Sequence, residues 1–154
     1  MRKITIALAA AAIMLAAAPA FAQPVGTWTG AGEGWCPYPI PTPSSAPMYP
    51  WQEWKGRFEP NPDEIGYVFY GDWYDASGNH GTFRGKALLG TPEEIACQGT
   101  WTWWNEKVDP PQVYKMGTFN MLFRRDGSSC HGEWKATNDD ALYHGYMKGY
   151  WVEP

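Results

Sequence analysis

Beyond residue 22 this chain has few aliphatic side chains, no basic cluster and no window of twelve residues that keeps a helical apolar period without glycine or proline. Scarce aliphatics exclude an ordinary core of leucine and valine, and the missing period argues against helices. With 16 acidic residues against 12 basic ones, the chain is a poor partner for nucleic acid or an anionic membrane. It carries no phosphate loop, dinucleotide fingerprint, EF-hand or Gly-x-Ser-x-Gly elbow, so nucleotide, calcium and triad-hydrolase chemistry lack their usual carriers. Ser128-Ser129 beside His131 falls in a hairpin too short to arrange a triad.

What is present begins with an export signal. Arg2 and Lys3 give a positive start, Ile4 to Pro19 form an apolar, alanine-rich run, and Ala20-Phe21-Ala22 supplies a small-x-small cleavage pattern. The run is too short, and lacks the far flanking charge, for a membrane span, and no later stretch is apolar enough to make one. Residues 1–22 are therefore expected to be a signal peptide, and 23–154 a single domain that is secreted or periplasmic. Removing the signal, with its two basic residues and no acidic one, takes the net charge from −4 to −6.

Aromatic residues fill the gap that the aliphatics leave. All 10 Trp and all 9 Tyr lie beyond residue 22, so the core must be built largely of rings. One short unit recurs, glycine, any residue, then a ring: Gly26-Thr27-Trp28, Gly56-Arg57-Phe58, Gly71-Asp72-Trp73, Gly81-Thr82-Phe83, Gly99-Thr100-Trp101, Gly117-Thr118-Phe119, Gly132-Glu133-Trp134 and Gly149-Tyr150-Trp151. In a strand, residues two apart share a face, so each unit sets a vacancy beside a bulky ring. Rings of one strand can then cover glycines of the next and let a curved sheet close. The units predict about eight strands, near 24–35, 53–60, 66–75, 80–89, 95–104, 114–125, 129–136 and 142–152, separated by hairpin-length turns. The fold class is all-β: an antiparallel up-and-down meander that closes as a small barrel, with an open sheet or sandwich as the alternative.

The exception to short connections is a loop at 36–50 that holds Pro37, Pro39, Pro41, Pro43, Pro47 and Pro50. It reads either as a stiff connector or as a lid that touches ligand. Of the three cysteines, Cys36 falls at the upper end of the first strand, whereas Cys97 and Cys130 both open upward strands at the bottom. A Cys97–Cys130 disulfide is the expected pairing for an exported chain, with Cys36 left over.

Two local resemblances follow from these motifs. Gly26-Thr27-Trp28-Thr29-Gly30-Ala31-Gly32-Glu33-Gly34 followed by Tyr38-Pro39 resembles the opening of calycin barrels, particularly nitrobindin and lipocalin-type proteins. That resemblance implies an up-and-down barrel with a ligand cavity and with Trp28 packed at its closed end. In nitrobindins a late histidine ligates haem; His144 stands in a comparable place, but the middle of the chain departs from their pattern, and no cofactor is expected. The segment from Phe69-x-Gly71-x-Trp73 through Gly81-x-Phe83-x-Gly85 resembles a MORN repeat, a hairpin unit of open, stacked arrays.

Chemistry is thinner. His80, His131 and His144 have no partner at ligand spacing, so Cys130-His131 reads as a bridged cysteine beside a surface histidine and no metal is expected. Carboxylates at Asp63-Glu64, Glu93-Glu94, Glu106, Asp109, Glu133 and Asp139-Asp140 mostly adjoin turns, where they are ordinarily solvated. The most suggestive run is Trp101-Thr102-Trp103-Trp104. Alternation sends Trp104 to the face opposite Trp101 and Trp103, so one ring leaves the core. Trp51, Trp54, Trp103, Trp104 and Tyr49 are the candidate ligand-binding residues, with ring packing at the barrel ends as the alternative. The function expected is a non-catalytic binding module for a glycan or small apolar ligand. A protein-interaction, structural envelope or inhibitor protein comes second and a small hydrolase third. A deep apolar cavity would favour the small molecule, an exposed row of rings a glycan or protein, and two facing carboxylates in a groove the hydrolase.

Overall fold

The pairing of rings with glycines decides the architecture. In the computed structural model, which describes residues 24–41, 46–88, 90–138 and 141–153, the strands are β1 (Gly26–Glu33), β2 (Glu53–Pro60), β3 (Tyr67–Tyr74), β4 (His80–Ala87), β5 (Glu94–Asn105), β6 (Gln112–Arg124), β7 (Cys130–Asn138) and β8 (Ala141–Glu153). Each pairs antiparallel with the next, and β8 returns to β1 from Thr27↔Glu153 to Glu33↔Tyr146. The meander is thus a closed barrel rather than an open sheet or sandwich. The expected signal peptide, Asp139 and Asp140 lie outside the described residues. Among the described residues no helix is long and apolar enough to cross a membrane.

Across neighbouring strands a ring faces a glycine again and again: Trp28↔Gly56, Trp54↔Gly30, Phe69↔Gly85, Phe83↔Gly71, Trp73↔Gly81, Trp101↔Gly117, Phe119↔Gly99 and Trp134↔Gly145. Three of these pairs repeat one latch. The Trp73 indole of β3 crosses Gly81 of β4 and donates its N–H to the Thr102 carbonyl of β5 at 2.7 Å. Trp101 of β5 crosses Gly117 of β6 to the Lys135 carbonyl of β7 at 3.0 Å, and Trp134 of β7 crosses Gly145 of β8 to the Glu33 carbonyl of β1 at 3.2 Å. Each latch ties a strand to the next but one, which forces the curvature that closure needs. On the remaining quarter β1 offers only Gly32 at this level, and there the loop residue Trp51 enters: a Cβ on Gly32 would lie 3.2 Å from the Trp51 Cβ.

The latch makes its glycines irreplaceable. A Cβ on Gly81 would press into the Thr102 carbonyl and stand 2.7 Å from Trp73 Nε1. Gly81→Ala should therefore cost about 3 kcal/mol, as overpacking against backbone does. Gly78→Ala, at φ +84° with open space around the Cβ, should cost only about 1 kcal/mol. Urea unfolding of the two variants checks the difference, and equal losses would mean that the latch is not under constraint.

The interior is filled by these rings. Trp28, Phe58 and Phe123 pack the end where β1 begins and β8 finishes, with Trp28 to Phe123 at 5.0 Å and Phe58 to Phe123 at 5.1 Å. Phe69, Phe83, Phe119 and Trp54 occupy the middle. Trp73, Trp101 and Trp134 line the opposite end at 5.6 to 5.8 Å from one another in sequence. Over that end the described ends of the proline-rich loop, 36–41 and 46–50, form an internal plug: Cys36 and Met48 exchange backbone hydrogen bonds at 3.1 and 2.9 Å, and Met48 and the adjoining Trp51 are fully buried.

The expected Cys97–Cys130 disulfide is corrected by this topology. Both side chains point inward, yet β6 runs between their strands, with Cys97 opposite Met121 and Cys130 opposite Phe123. Two interstrand steps separate the backbones by about 9.5 Å, and a disulfide spans at most about 6.8 Å between Cα atoms. All three cysteines are free and buried, and burial pushes each thiol up to about 12.

Candidate functional site

Alternation along β3, β4 and β5 sends one set of rings inward and another outward. Trp73 and Trp103 point into the barrel; their sequence neighbours Tyr74 and Trp104 therefore point out. The backbone pairs Tyr74 with His80 on β4, and their rings lie 6.2 Å apart in nearly parallel planes. His80 in turn stands 5.9 Å from the Trp104 ring, and Trp104 is paired with Val113 on β6. Tyr74 is 47% exposed and Trp104 37%, so three rings form a continuous outward strip across three strands at the plug end of the barrel.

Polar groups border the strip. Glu106 Oε1 lies 3.3 Å from His80 Nε2, and Glu53 stands opposite Tyr74 on β2. One step toward the barrel middle, the Thr82 and Thr102 hydroxyls meet at 2.9 Å. Rings flanked by hydroxyls, a carboxylate and an imidazole can offer an apolar face and hydrogen-bonding edges to the same ligand.

The strip is held rigidly by the turn beside it. Asp75, only 8% exposed, accepts Ser77 N and Asn79 N on Oδ1 and Asn79 Nδ2 and Tyr49 N on Oδ2, at 2.8 to 3.2 Å. Every lone pair direction of this buried carboxylate is thus engaged. The Tyr38 hydroxyl adds a bond to Asn79 Oδ1 at 3.2 Å, and Ala76 N donates to the Gln52 side chain at 2.8 Å. The hairpin that carries Tyr74 and His80 is thereby tied to the proline-rich loop, and Tyr49 arrives at the same rim 44% exposed.

The five ring residues singled out in the sequence are not together. Trp104 and Tyr49 reach the surface. Trp103 is 4% exposed, between Tyr38 at 5.2 Å and Tyr114 at 5.5 Å. Trp54 is buried against Phe69 and Phe83, and Trp51 stacks on Phe83 at 4.5 Å. Trp51 also holds φ +63°, a conformation costly for a residue with a Cβ, and the indole N–H groups of Trp51 and Trp54 are buried without a protein partner. These two rings have no face left for a ligand in this arrangement. Tyr74 and His80 were missed, because only the cross-strand register shows that they adjoin Trp104.

Other sequence candidates are dispersed. Cys130 faces inward and His131 outward, so they cannot share an ion. His144 is on the outer face of β8, near Tyr146, and does not look into the barrel. Among the carboxylates, Glu133 is held below the usual range by its hydrogen bond to Lys135 and by that ammonium's charge, which suits a permanently ionised group rather than a proton donor. Asp126 is likewise held low, chiefly by the Ser128 hydroxyl and amide.

No protein-family model matches the chain, and neither does any curated protein or any solved structure.

Proposed function

We propose that this protein is an exported, non-catalytic binding module that holds a glycan on the outer face of its barrel, over Tyr74, His80 and Trp104. The observation that carries this reading is the outward strip of rings itself. Indoles and phenols cost free energy when left in water, and a row of them bordered by hydrogen-bonding groups matches a pyranose, which has apolar C–H faces and polar edges. A glycan is favoured over a small apolar ligand because the barrel interior is occupied by its own rings. A protein partner is the second reading, since the exposed Val113 and Tyr49 extend the apolar rim.

The test is retention on polysaccharides. Full-length mature protein is mixed with a panel of insoluble and immobilised neutral polysaccharides, and retention is compared with that of Tyr74→Ala and Trp104→Ala. Binding to at least one polysaccharide, weakened tenfold or more by either substitution, is expected; tenfold is about 1.4 kcal/mol, ordinary for truncating one contact ring. Retention that is unchanged in both variants, or absent across the panel, overturns the reading.

A further inference from the structure

The side of the barrel opposite the ring strip carries a groove of different chemistry. β8 lies four strands from β4 around the eight-stranded ring, and on it Lys148 and Tyr150 point outward. Lys148 is flanked by His131 on β7 and by Ala31 on β1, and Tyr150 by Thr29 on β1. The two short β1 side chains leave a depression beside the long ones. It amounts to a groove of about 570 Å³ lined by Thr29, Ala31, Ser129, His131, Lys148 and Tyr150, with no carboxylate.

Charge decides what fits. Among the described residues neither Lys148 nor His131 makes an ion pair, whereas Lys86 and Lys135 are each paired with a glutamate. One ammonium and one imidazole thus stand side by side with their donors uncommitted. One row further along β8, the groups beside Tyr146 are acidic: Glu33 on β1 and Glu133 on β7, the latter paired with Lys135. At the other end Asp126 on the β6–β7 hairpin is paired with Arg124, and Glu153 closes β8. The groove is therefore a small basic spot bordered at the Tyr146 end by Glu33 and Glu133, which suits a ligand with a single carboxylate held away from that end. Tyr150, 58% exposed, sits one same-face step from Lys148, about 6.8 Å along the strand, and offers a ring face beside the charge.

We propose that this groove is a second ligand site, which takes a uronic acid residue: its carboxylate between Lys148 and His131, its pyranose face on Tyr150. A neutral sugar lacks the first contact, and an acidic peptide lacks the second and brings further carboxylates toward Glu33 and Glu133. The site shares no residue with the ring strip, so its outcome is separate from that of the function proposed above.

Calorimetric titration of the mature protein tests the assignment, with a disaccharide of one glucuronate and one neutral sugar, its methyl ester, and poly-L-glutamate as probes. The acid should bind at least tenfold more tightly than the ester or the polypeptide. Lys148→Gln and Tyr150→Ala, both at exposed positions, should each reduce binding of the acid at least fivefold, while Tyr74→Ala leaves it unchanged. Equal binding of acid and ester, binding of poly-L-glutamate as tight as that of the acid, no binding of the acid, or indifference to Lys148→Gln overturns the proposal.

Discussion

Trp54→Ala lowers the unfolding free energy by about 4 kcal/mol, and Trp104→Ala by about 0.5 kcal/mol. The first is a large-to-small change in a packed interior, where loss of transfer energy and the cavity left behind add up to about 3 to 5 kcal/mol for an aromatic ring. Trp54 is 2% exposed, and its ring fills the space over Gly30 and Gly149, neither of which has a side chain that could collapse into the hole. The second removes a ring already in contact with water, where substitutions usually stay within about 0.5 kcal/mol. Urea unfolding followed by far-ultraviolet circular dichroism measures both. A similar loss in the two variants would mean that Trp104 belongs to the core, and the surface strip would lose one of its three rings.

Raising the pH from 8 to 10 should cost about 4 kcal/mol through the three thiols. Each is protonated in the folded protein up to about 12, against an ordinary value of 9.0 once the chain unfolds. The contribution is complete below pH 9. Between 9 and 12 the unfolded chain ionises and the folded chain does not, so stability falls by about 1.4 kcal/mol per thiol per pH unit. The comparison is with a variant that has alanine at positions 36, 97 and 130. It is less stable throughout, but the part of the alkaline slope due to the thiols should vanish. A triple variant with the wild-type slope would show that these cysteines are not shielded. The same burial keeps the three unpaired cysteines unreactive: an un-ionised thiol is a poor nucleophile toward disulfides.

The strands were legible because the glycine and ring units mark them directly. The units at Gly71 and Gly81, for example, place β3 and β4 to within a residue or two of Tyr67–Tyr74 and His80–Ala87. Closure was legible for the same reason, since a ring that needs a glycine opposite it specifies its neighbour. The disulfide was misjudged although the meander already set a strand between the two cysteines: the pairing needed a loop to bend, whereas both cysteines lie in regular pairing with β6, two sheet steps apart. The site was half legible. Alternation after Trp103 sent Trp104 outward, but Trp51 and Trp54 were grouped with it only because they follow the proline-rich loop, and both are buried. Only the missing ring at Gly32 of β1 explains why the loop turns inward at Trp51. His80 had no partner in the sequence, and only the register set it between Tyr74 and Trp104.

The measurement closest to the matter is fluorine resonance of protein labelled with 5-fluorotryptophan, titrated with an oligosaccharide of whichever polysaccharide retains the protein. The 10 indoles are assigned by single Trp→Phe replacements. A shift of the Trp104 resonance that saturates, with Trp51 and Trp54 unmoved, is expected of a ligand held on the outer strip. Saturating shifts at Trp51 and Trp54 with Trp104 unmoved would contradict it, and would place the ligand beneath the proline-rich plug, inside the barrel.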